Sequence, residues 1–429
     1  MFDTSLMTFC LIFTFTLGYL AIMFEVNLKV NKTATALLMA VLTWTALFLM
    51  FGRNSASDVI SLGHHLSDVS QIIFFLLGAM TLVELIDSHK GFAVVTRLIQ
   101  TTSKIKMLWI VGFVTFFLSS ILDNLTTTIV MVSLLRKMIP DNHDRRILGS
   151  LAVIAANAGG AWTPIGDVTT TMLWINGNIT SLSIMKELFI PSLVALIVAL
   201  VLLGFQMGRS KLHIDLQGLK TAEIAPGSRI VFYTGIGALM FVPVFKSLTG
   251  LPPFMGILIG LGALWLVTDI LHGDDETRAH LRVPYVLTKI DTSSVLFFLG
   301  ILLAVGALDA AGLLELLSHF LDRTIGSLPV IATLIGLLSA VIDNVPLVAA
   351  GMGMYDLAAH PVDSLLWNLL AYCAGTGGSI LIIGSAAGVA LMGMEKVDFF
   401  WYVKHISWIA LLSYLAGIGA FLLQNWWAY

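Results

Sequence analysis

The sequence predicts an all-α polytopic membrane protein made of two inverted repeats of five crossings each, with re-entrant helical hairpins and discontinuous helices. Three observations lead there. The 429-residue chain is 58% hydrophobic and only 11% charged, with a mean hydropathy of +0.93, whereas soluble domains carry about 25% charged residues. Apolar runs of about 18–22 residues recur along it, long enough to cross a hydrocarbon core of about 30 Å. Finally, an Asp-Asn pair lies inside an apolar segment twice, at Asp123-Asn124 and at Asp343-Asn344. A carboxylate there is costly unless it lines a cavity and has partners, which makes it a functional-site candidate. Its doubling points to a transporter.

The surroundings repeat with the pair. Ser70-Gln71-Ile72-Ile73-Phe74-Phe75-Leu76-Leu77-Gly78 resembles Ser293-Ser294-Val295-Leu296-Phe297-Phe298-Leu299-Gly300. After each comes the Asp-Asn pair, then a Gly-Gly pair (Gly159-Gly160; Gly377-Gly378), then a further glycine (Gly166; Gly384). Residues 1–207 thus form the first repeat, 208–229 a polar cytoplasmic linker and 230–429 the second repeat. Each repeat opens with three spans, 5–24, 32–51 and 70–87 in the first and 230–248, 254–271 and 292–310 in the second. A polar stretch suited to the interface follows (89–103; 312–325). Two apolar segments then flank each Asp-Asn pair; too short for two crossings, they suit a re-entrant hairpin with the pair at its tip. A glycine-interrupted span comes next, around 159–167 (with Pro164) and around 377–385. A last span closes each half, at 187–207 and 400–423. Five crossings is an odd number, so the second half sits inverted, an architecture whose sites lie where broken segments meet near the midplane.

Charge supports this arrangement. Nineteen of the 23 Lys and Arg residues fall on one face, Lys29, Lys32, Arg97, Arg136, Arg145, Arg209 and Lys220 among them; Arg53, Lys186, Lys246 and Arg323 fall on the other. By the positive-inside rule the first face is cytoplasmic and both termini are outside. Hairpin one then enters from the cytoplasm and hairpin two from outside. The expected location is the cytoplasmic (inner) membrane of a prokaryotic cell. No basic residue precedes the first span, which reads as a retained helix rather than a signal peptide. Cys10 and Cys373 are too few for a disulfide framework or a metal site, and no basic cluster suggests nucleic acid.

Polar residues concentrate at the tips and breaks. Half one supplies Asp123, Asn124 and Thr126 to Thr128, then Asn157, Asp167 and Thr169 to Thr171. Half two supplies Ser339, Asp343, Asn344, Thr376, Ser379 and Ser385. Glycine and Pro164 interrupt helices and expose carbonyls, tolerable in a membrane only beside a cavity. Carboxylate, amide, hydroxyl and carbonyl oxygens together suit a hard cation. Asp123, Asp167 and Asp343 are the candidates for proton coupling, with Na⁺ and H⁺ competing for one oxygen cage and no other cofactor. Ser385 aligns with Asp167, so the cage is weighted toward half one, with Asp343 completing it or acting alone in proton transfer.

Three segments carry a family resemblance: Ser119-Ser120-Ile121-Leu122-Asp123-Asn124-Leu125-Thr126-Thr127-Thr128, the stretch from Asn157 through Trp162-Thr163-Pro164-Ile165-Gly166-Asp167 to Thr170, and Ser339-Ala340-Val341-Ile342-Asp343-Asn344-Val345-Pro346. They resemble the NhaD-type Na⁺/H⁺ antiporters of the ion-transporter superfamily, and the resemblance spans essentially the whole chain. It implies the superfamily fold with two hairpins and two broken helices, Na⁺ or Li⁺ as cargo, and a homodimer in the lipid bilayer. Carried over residue by residue, it points to Asp123, Asn124, Asn157, Asp167, Thr169, Thr170, Ser339, Asp343 and Asn344.

Plainer readings attach to the same residues. Asp123, Asp167 and Asp343 suit helix N-caps, and Thr169 to Thr171 can bond back to their own helix. Glu84, Asp87, Asp309 and Glu315 read as acids snorkelling to the interfaces, His64-His65 as solvated residues of an external loop, and Trp426, Trp427 and Tyr429 as an interfacial belt. The main rival function is an arsenite or dicarboxylate carrier of the same superfamily. Helix N-termini can face an anion, but an aspartate at both tips would repel a dicarboxylate. An intramembrane aspartyl protease, suggested by Tyr355-Asp356 and Ile165-Gly166-Asp167, is remote because its motifs stand in the wrong order.

Overall fold

Several helices begin or end where the chain places caps and breakers. The computed structural model describes residues 4–50, 55–92, 101–208, 211–212, 225–273 and 275–426. The first half contains α1 (Thr4–Met23), α2 (Lys32–Met50), α3 (Ser55–Ser88), α4 (Lys104–Ser119), α5 (Asn124–Met138), α6 (Asn142–Gly160), α7 (Val168–Ile175) and α8 (Ser181–Met207). The second half runs α9 (Ser228–Thr249), α10 (Pro253–His272), α11 (Thr292–Ala310), α12 (Leu313–Thr324), α13 (Leu328–Leu338), α14 (Asn344–Met354), α15 (Leu365–Gly377), α16 (Ala386–Glu395) and α17 (Phe399–Gln424). Among the described residues, α2, α3, α8, α9, α10, α11 and α17 each contain a stretch long and apolar enough to cross a membrane, and Thr8–Met23 within α1 is a shorter apolar helix. The chain is therefore a polytopic membrane protein, nearly all-helical among the described residues.

Side-chain caps set several boundaries. Ser103 accepts the Lys106 amide at the start of α4, Asp123 the Thr126 amide at α5, and Thr180 the Ser183 amide at α8. Each replaces a backbone donor partner that the first turn lacks. Asp141, in the loop before α6, accepts the Asp144 amide, and this bond holds its carboxyl below the usual carboxylate range.

The contacts of α4 on α6 recur between α13 and α15. Ser119 Oγ donates to Ala156 O at 2.7 Å, and Ser339 Oγ donates to Ala374 O at 2.8 Å. A Cβ on Gly159 would lie 2.2 Å from Phe116 O, and one on Gly377 would lie 2.0 Å from Gly336 O. Only a residue without a side chain lets the hairpin arm and the broken helix approach this closely.

Two sets of helices result. In one, α2 packs along α11 and α1, α9 along α10, and α3 against α10 and α11. In the other, α4 and α5 pack on α6, α13 on α15, α16 on α5, and α8 along α17. The sets meet where α14 touches α11 and where α7 touches α3. The second set is tied together at the ends of α6 and α16. There the buried Glu395 carboxylate meets Arg145 Nε at 2.9 Å and Arg136 Nε at 3.4 Å. Removing one partner of a buried pair strands the other, so Glu395→Ala is expected to cost about 3 kcal/mol. The check is the thermal unfolding midpoint of the purified protein in detergent, and an unchanged midpoint would remove this pair from any account of stability.

Two expectations need correction or delimiting. His64 and His65 do not lie in a loop: α3 is a single helix of 34 residues that includes both. Between Ser55 and Ser70 the only breaker is Gly63, and one glycine costs about 1 kcal/mol in a helix interior, too little to stop a helix already nucleated on both sides. At about 50 Å, α3 is longer than a bilayer core of about 30 Å, so its polar first turns extend past the apolar part. His64 is exposed, whereas His65 packs on the Trp44 ring at 5.8 Å. Arg53, Arg97, Arg209, Lys220, Trp427, Tyr429 and much of the 89–103 and 208–229 stretches lie outside the described residues.

Candidate cation site at the helix breaks

Four helices begin at the tips and breaks, and their N-cap positions are Asp123 (α5), Asp167 (α7), Asp343 (α14) and Ser385 (α16). The chain leaves the helix here because glycines and Pro164 interrupt it, and threonines satisfy the carbonyls that are freed. Thr163 Oγ1 donates to Ser120 O at 2.7 Å, and Thr171 Oγ1 donates to Pro164 O at 2.9 Å.

One buried network joins hairpin one to both breaks. Asn124 Nδ2 donates to Asp167 Oδ2 at 2.8 Å and to Asn157 Oδ1 at 3.0 Å. Asn157 Nδ2 in turn donates to Ser379 Oγ at 2.8 Å and to Ser385 Oγ at 3.1 Å. Asp167 Oδ1 accepts both the amide and the hydroxyl of Thr169 at 2.9 Å. All six residues are buried. Tyr402 on α17 holds the second break by donating to Ser379 O at 2.9 Å. A Cβ on Gly375 would sit 3.6 Å from both Asp167 Oδ2 and Thr169 Oγ1, so α15 passes the carboxylate without covering it.

The remaining predicted residues fall into three groups. Asp123 and Thr126 sit beside the network at the hairpin tip, with Asp123 accepting the Thr126 amide at 2.8 Å and its hydroxyl at 2.5 Å. Ser339 and Thr170 are bonded to backbone carbonyls instead. Ser339 anchors hairpin two to α15, and Thr170 Oγ1 donates to Asp167 O at 2.9 Å. Asn344 is buried but has no place in the network. Asp343, at the N-cap of α14, lies 4.0 Å from Lys32 Nζ on α2.

Two features near the site are not marked by the sequence, Lys32 and a cavity. In the sequence Lys32 counts only as a charge of the cytoplasmic face, and nothing local tells that it faces Asp343. Thr127 and Thr128, already placed at the tip by the sequence, have buried hydroxyls with no hydrogen-bond partner among the described residues, leaving their lone pairs available there. A cavity of about 270 Å³ lies between α3, α7, α11 and α14, with His65, Asp68, Gln71, Asn176 and Asp309 among its lining residues. α7 and α14 both have their C-terminal turns at this cavity and their N-termini at the carboxylates. The cavity is thus set off from the carboxylates by the length of α7, about 12 Å.

The chemistry of the arrangement favours a cation. Helix N-termini carry partial positive charge and ordinarily attract anions. Here three of the four N-cap positions already hold carboxylates, so an anionic cargo would meet negative charge at close range. Asp123, Asp167, the Asn124 amide and threonine hydroxyls instead present hard oxygens suited to an alkali cation. Asp356, by contrast, accepts the Ala359 amide at 2.7 Å in an exposed turn, with no part in the network around Asp167.

Comparison with known proteins agrees with this geometry. The model of a family described as citrate transporter (CitMHS) matches residues 19–375. Sodium/proton antiporters 1 and 2 of Arabidopsis thaliana are 56% and 53% identical, each over 95% of this chain and over 71% and 97% of their own lengths. The Na⁺/H⁺ antiporter NhaD of Vibrio cholerae is 31% identical over 99% of this chain and 93% of its own. Broken helices, a buried polar network around Asp167 and these relatives converge: the chain is a transporter, not an enzyme, and belongs to the citrate-transporter family and to its NhaD-type Na⁺/H⁺ antiporter relatives.

Proposed function

We propose that the protein exchanges cytoplasmic Na⁺, and Li⁺, for external H⁺ by alternating access. The observation that carries this reading over citrate transport is the set of aspartates at three of the four helix N-caps. Na⁺ held by Asp123, Asp167 and their hydroxyl and amide neighbours must leave before those oxygens take up a proton, and this exclusion alone couples the two fluxes. Asn124, Asn157, Ser379 and Ser385 hold the carboxylates in register and offer further oxygens, and Asp343 is the second-half acid. The hairpins and broken helices form the moving part, sliding against α1–α3 and α9–α11.

An inverted topology completes the proposal. The seven long apolar helices, Thr8–Met23 and the two broken pairs α6/α7 and α15/α16 would give five crossings in each half. The charge asymmetry supports placing both termini outside and the protein in the cytoplasmic (inner) membrane. A homodimer is the assembly proposed.

The test is proton flux in proteoliposomes with an acidic lumen, to which NaCl, LiCl, KCl, citrate and arsenite are added in turn. Na⁺ and Li⁺ are expected to alkalinise the lumen, and Asp123→Asn and Asp343→Asn to abolish the response. Flux driven by citrate or arsenite with none from alkali cations would replace the proposal by the anion or arsenite reading.

A further inference from the structure

We infer that Lys32 is a transport-coupling residue, its ammonium serving as a tethered cation that competes with Na⁺ for the Asp343 carboxylate. The inference rests on the exchange reading above and assigns a role within it to a residue that neither composition nor spacing marks.

The pair is built rather than incidental. Lys32 Nζ lies 4.0 Å from Asp343 Oδ2 and 4.6 Å from the centroid of the Phe297 ring, with the two charged side chains only 32% and 21% exposed. The backbone beneath it is fixed. The Lys32 amide donates to Glu25 Oε2 at 3.2 Å, and Thr33 Oγ1 donates to Ser293 O at 2.9 Å, clamping the first turn of α2 to the start of α11. Phe297 belongs to the same α11, so ammonium, ring and clamp form one rigid unit. Asp343 comes from hairpin two, so the ion pair crosses the boundary between the two helix sets.

The halves differ here. Both Asp123 oxygens are taken by Thr126 on its own helix, whereas Asp343 faces backbone amides of its own helix and has the protein's own cation beside it. Two unit positive charges at one partly buried carboxylate repel strongly, so Na⁺ reaches Asp343 only as the ammonium moves off. The Phe297 face gives the displaced ammonium a favourable place to rest. Na⁺ occupancy at Asp343 and release of the hairpin from α2 then become one event.

The test measures the Na⁺ dependence of proton flux in proteoliposomes for the wild type, Lys32→Gln, Lys32→Arg, Asp343→Asn and the Lys32→Gln/Asp343→Asn double variant. Binding of radiolabelled sodium to the purified proteins is measured in parallel, so that variants without turnover are still read. Lys32→Gln is expected to lower the half-saturating Na⁺ concentration roughly threefold to tenfold, and Lys32→Arg to restore it to within about twofold of wild type. In the Asp343→Asn background, loss of Lys32 is expected to change sodium binding no further, because two residues acting through one contact are not additive. Lys32→Met keeps the apolar stem against Phe297 and serves if the glutamine variant does not purify. An unchanged half-saturation in Lys32→Gln, or the same shift with and without Asp343, would overturn the inference while leaving exchange intact. Absence of Na⁺-driven flux in the wild type would sink the exchange reading and this inference with it.

Discussion

Asp167→Asn is expected to lower Na⁺-driven proton flux by about 100-fold or more while the protein stays folded. The carboxylate is 1% exposed and bonded to Asn124 and Thr169. A cation brought into such a place loses its water and needs a full negative charge in return. An amide supplies only a dipole, and a deficit of about 2.7 kcal/mol already makes a factor of 100. The fold is expected to survive because asparagine matches aspartate in size and caps helices about as well. That equivalence makes the substitution decisive. If Asp167 only caps α7, the asparagine variant will transport normally; if it holds the cation, flux disappears while thermal unfolding is almost unchanged. Normal exchange in this variant would shift the coupling role to Asp123.

Gly377→Ala is expected to have the opposite signature, losing fold and transport together. Its new Cβ would sit 2.0 Å from Gly336 O and 2.7 Å from Gly336 C. These are backbone atoms of the facing hairpin arm and have no rotamer to move to. Overpacking of this kind costs about 3 kcal/mol, enough to lower the unfolding midpoint by several degrees. Gly159→Ala meets Phe116 O at 2.2 Å in the first half and is expected to behave the same way. Gly237 and Gly262 are internal controls, since a Cβ on either meets nothing within 4 Å, and alanine there is expected to be neutral or mildly stabilising. A well-folded Gly377→Ala protein would mean that the crossing is looser than these distances require.

Much of this was legible in the chain. An Asp-Asn pair between two short apolar arms reads as a hairpin tip, and α4/α5 and α13/α14 do turn at Asp123 and Asp343. Gly-Gly pairs followed by a capping Asp or Ser read as interrupted helices, and α6/α7 and α15/α16 break there. Ser339 shows the limit. Its position beside a tip suggested an ion ligand, yet its hydroxyl is engaged with the Ala374 carbonyl, as Ser119 is with Ala156. The length of α3 was hidden for another reason, because its first turns are polar and so fall below any apolar-span threshold. His89 reads as part of an interfacial stretch, but it is buried with its Nε2 3.0 Å from His272 Nε2, a pairing no local pattern announces.

What the sequence determined by itself is where helices must stop and which chemistry must be sheltered. Both follow from local costs: a glycine or proline in a helix, an unpaired carbonyl or carboxylate in an apolar medium. These costs act within a turn or two of the chain and can be read off it. What only the tertiary structure decided is which sheltered groups meet. Asn124, Asn157 and Asp167 joined Ser379 and Ser385, while Asp343 was turned to Lys32. Those partners lie far apart along the chain, and the crossing of hairpins and breaks through glycine contacts, rather than any local preference, brings them together.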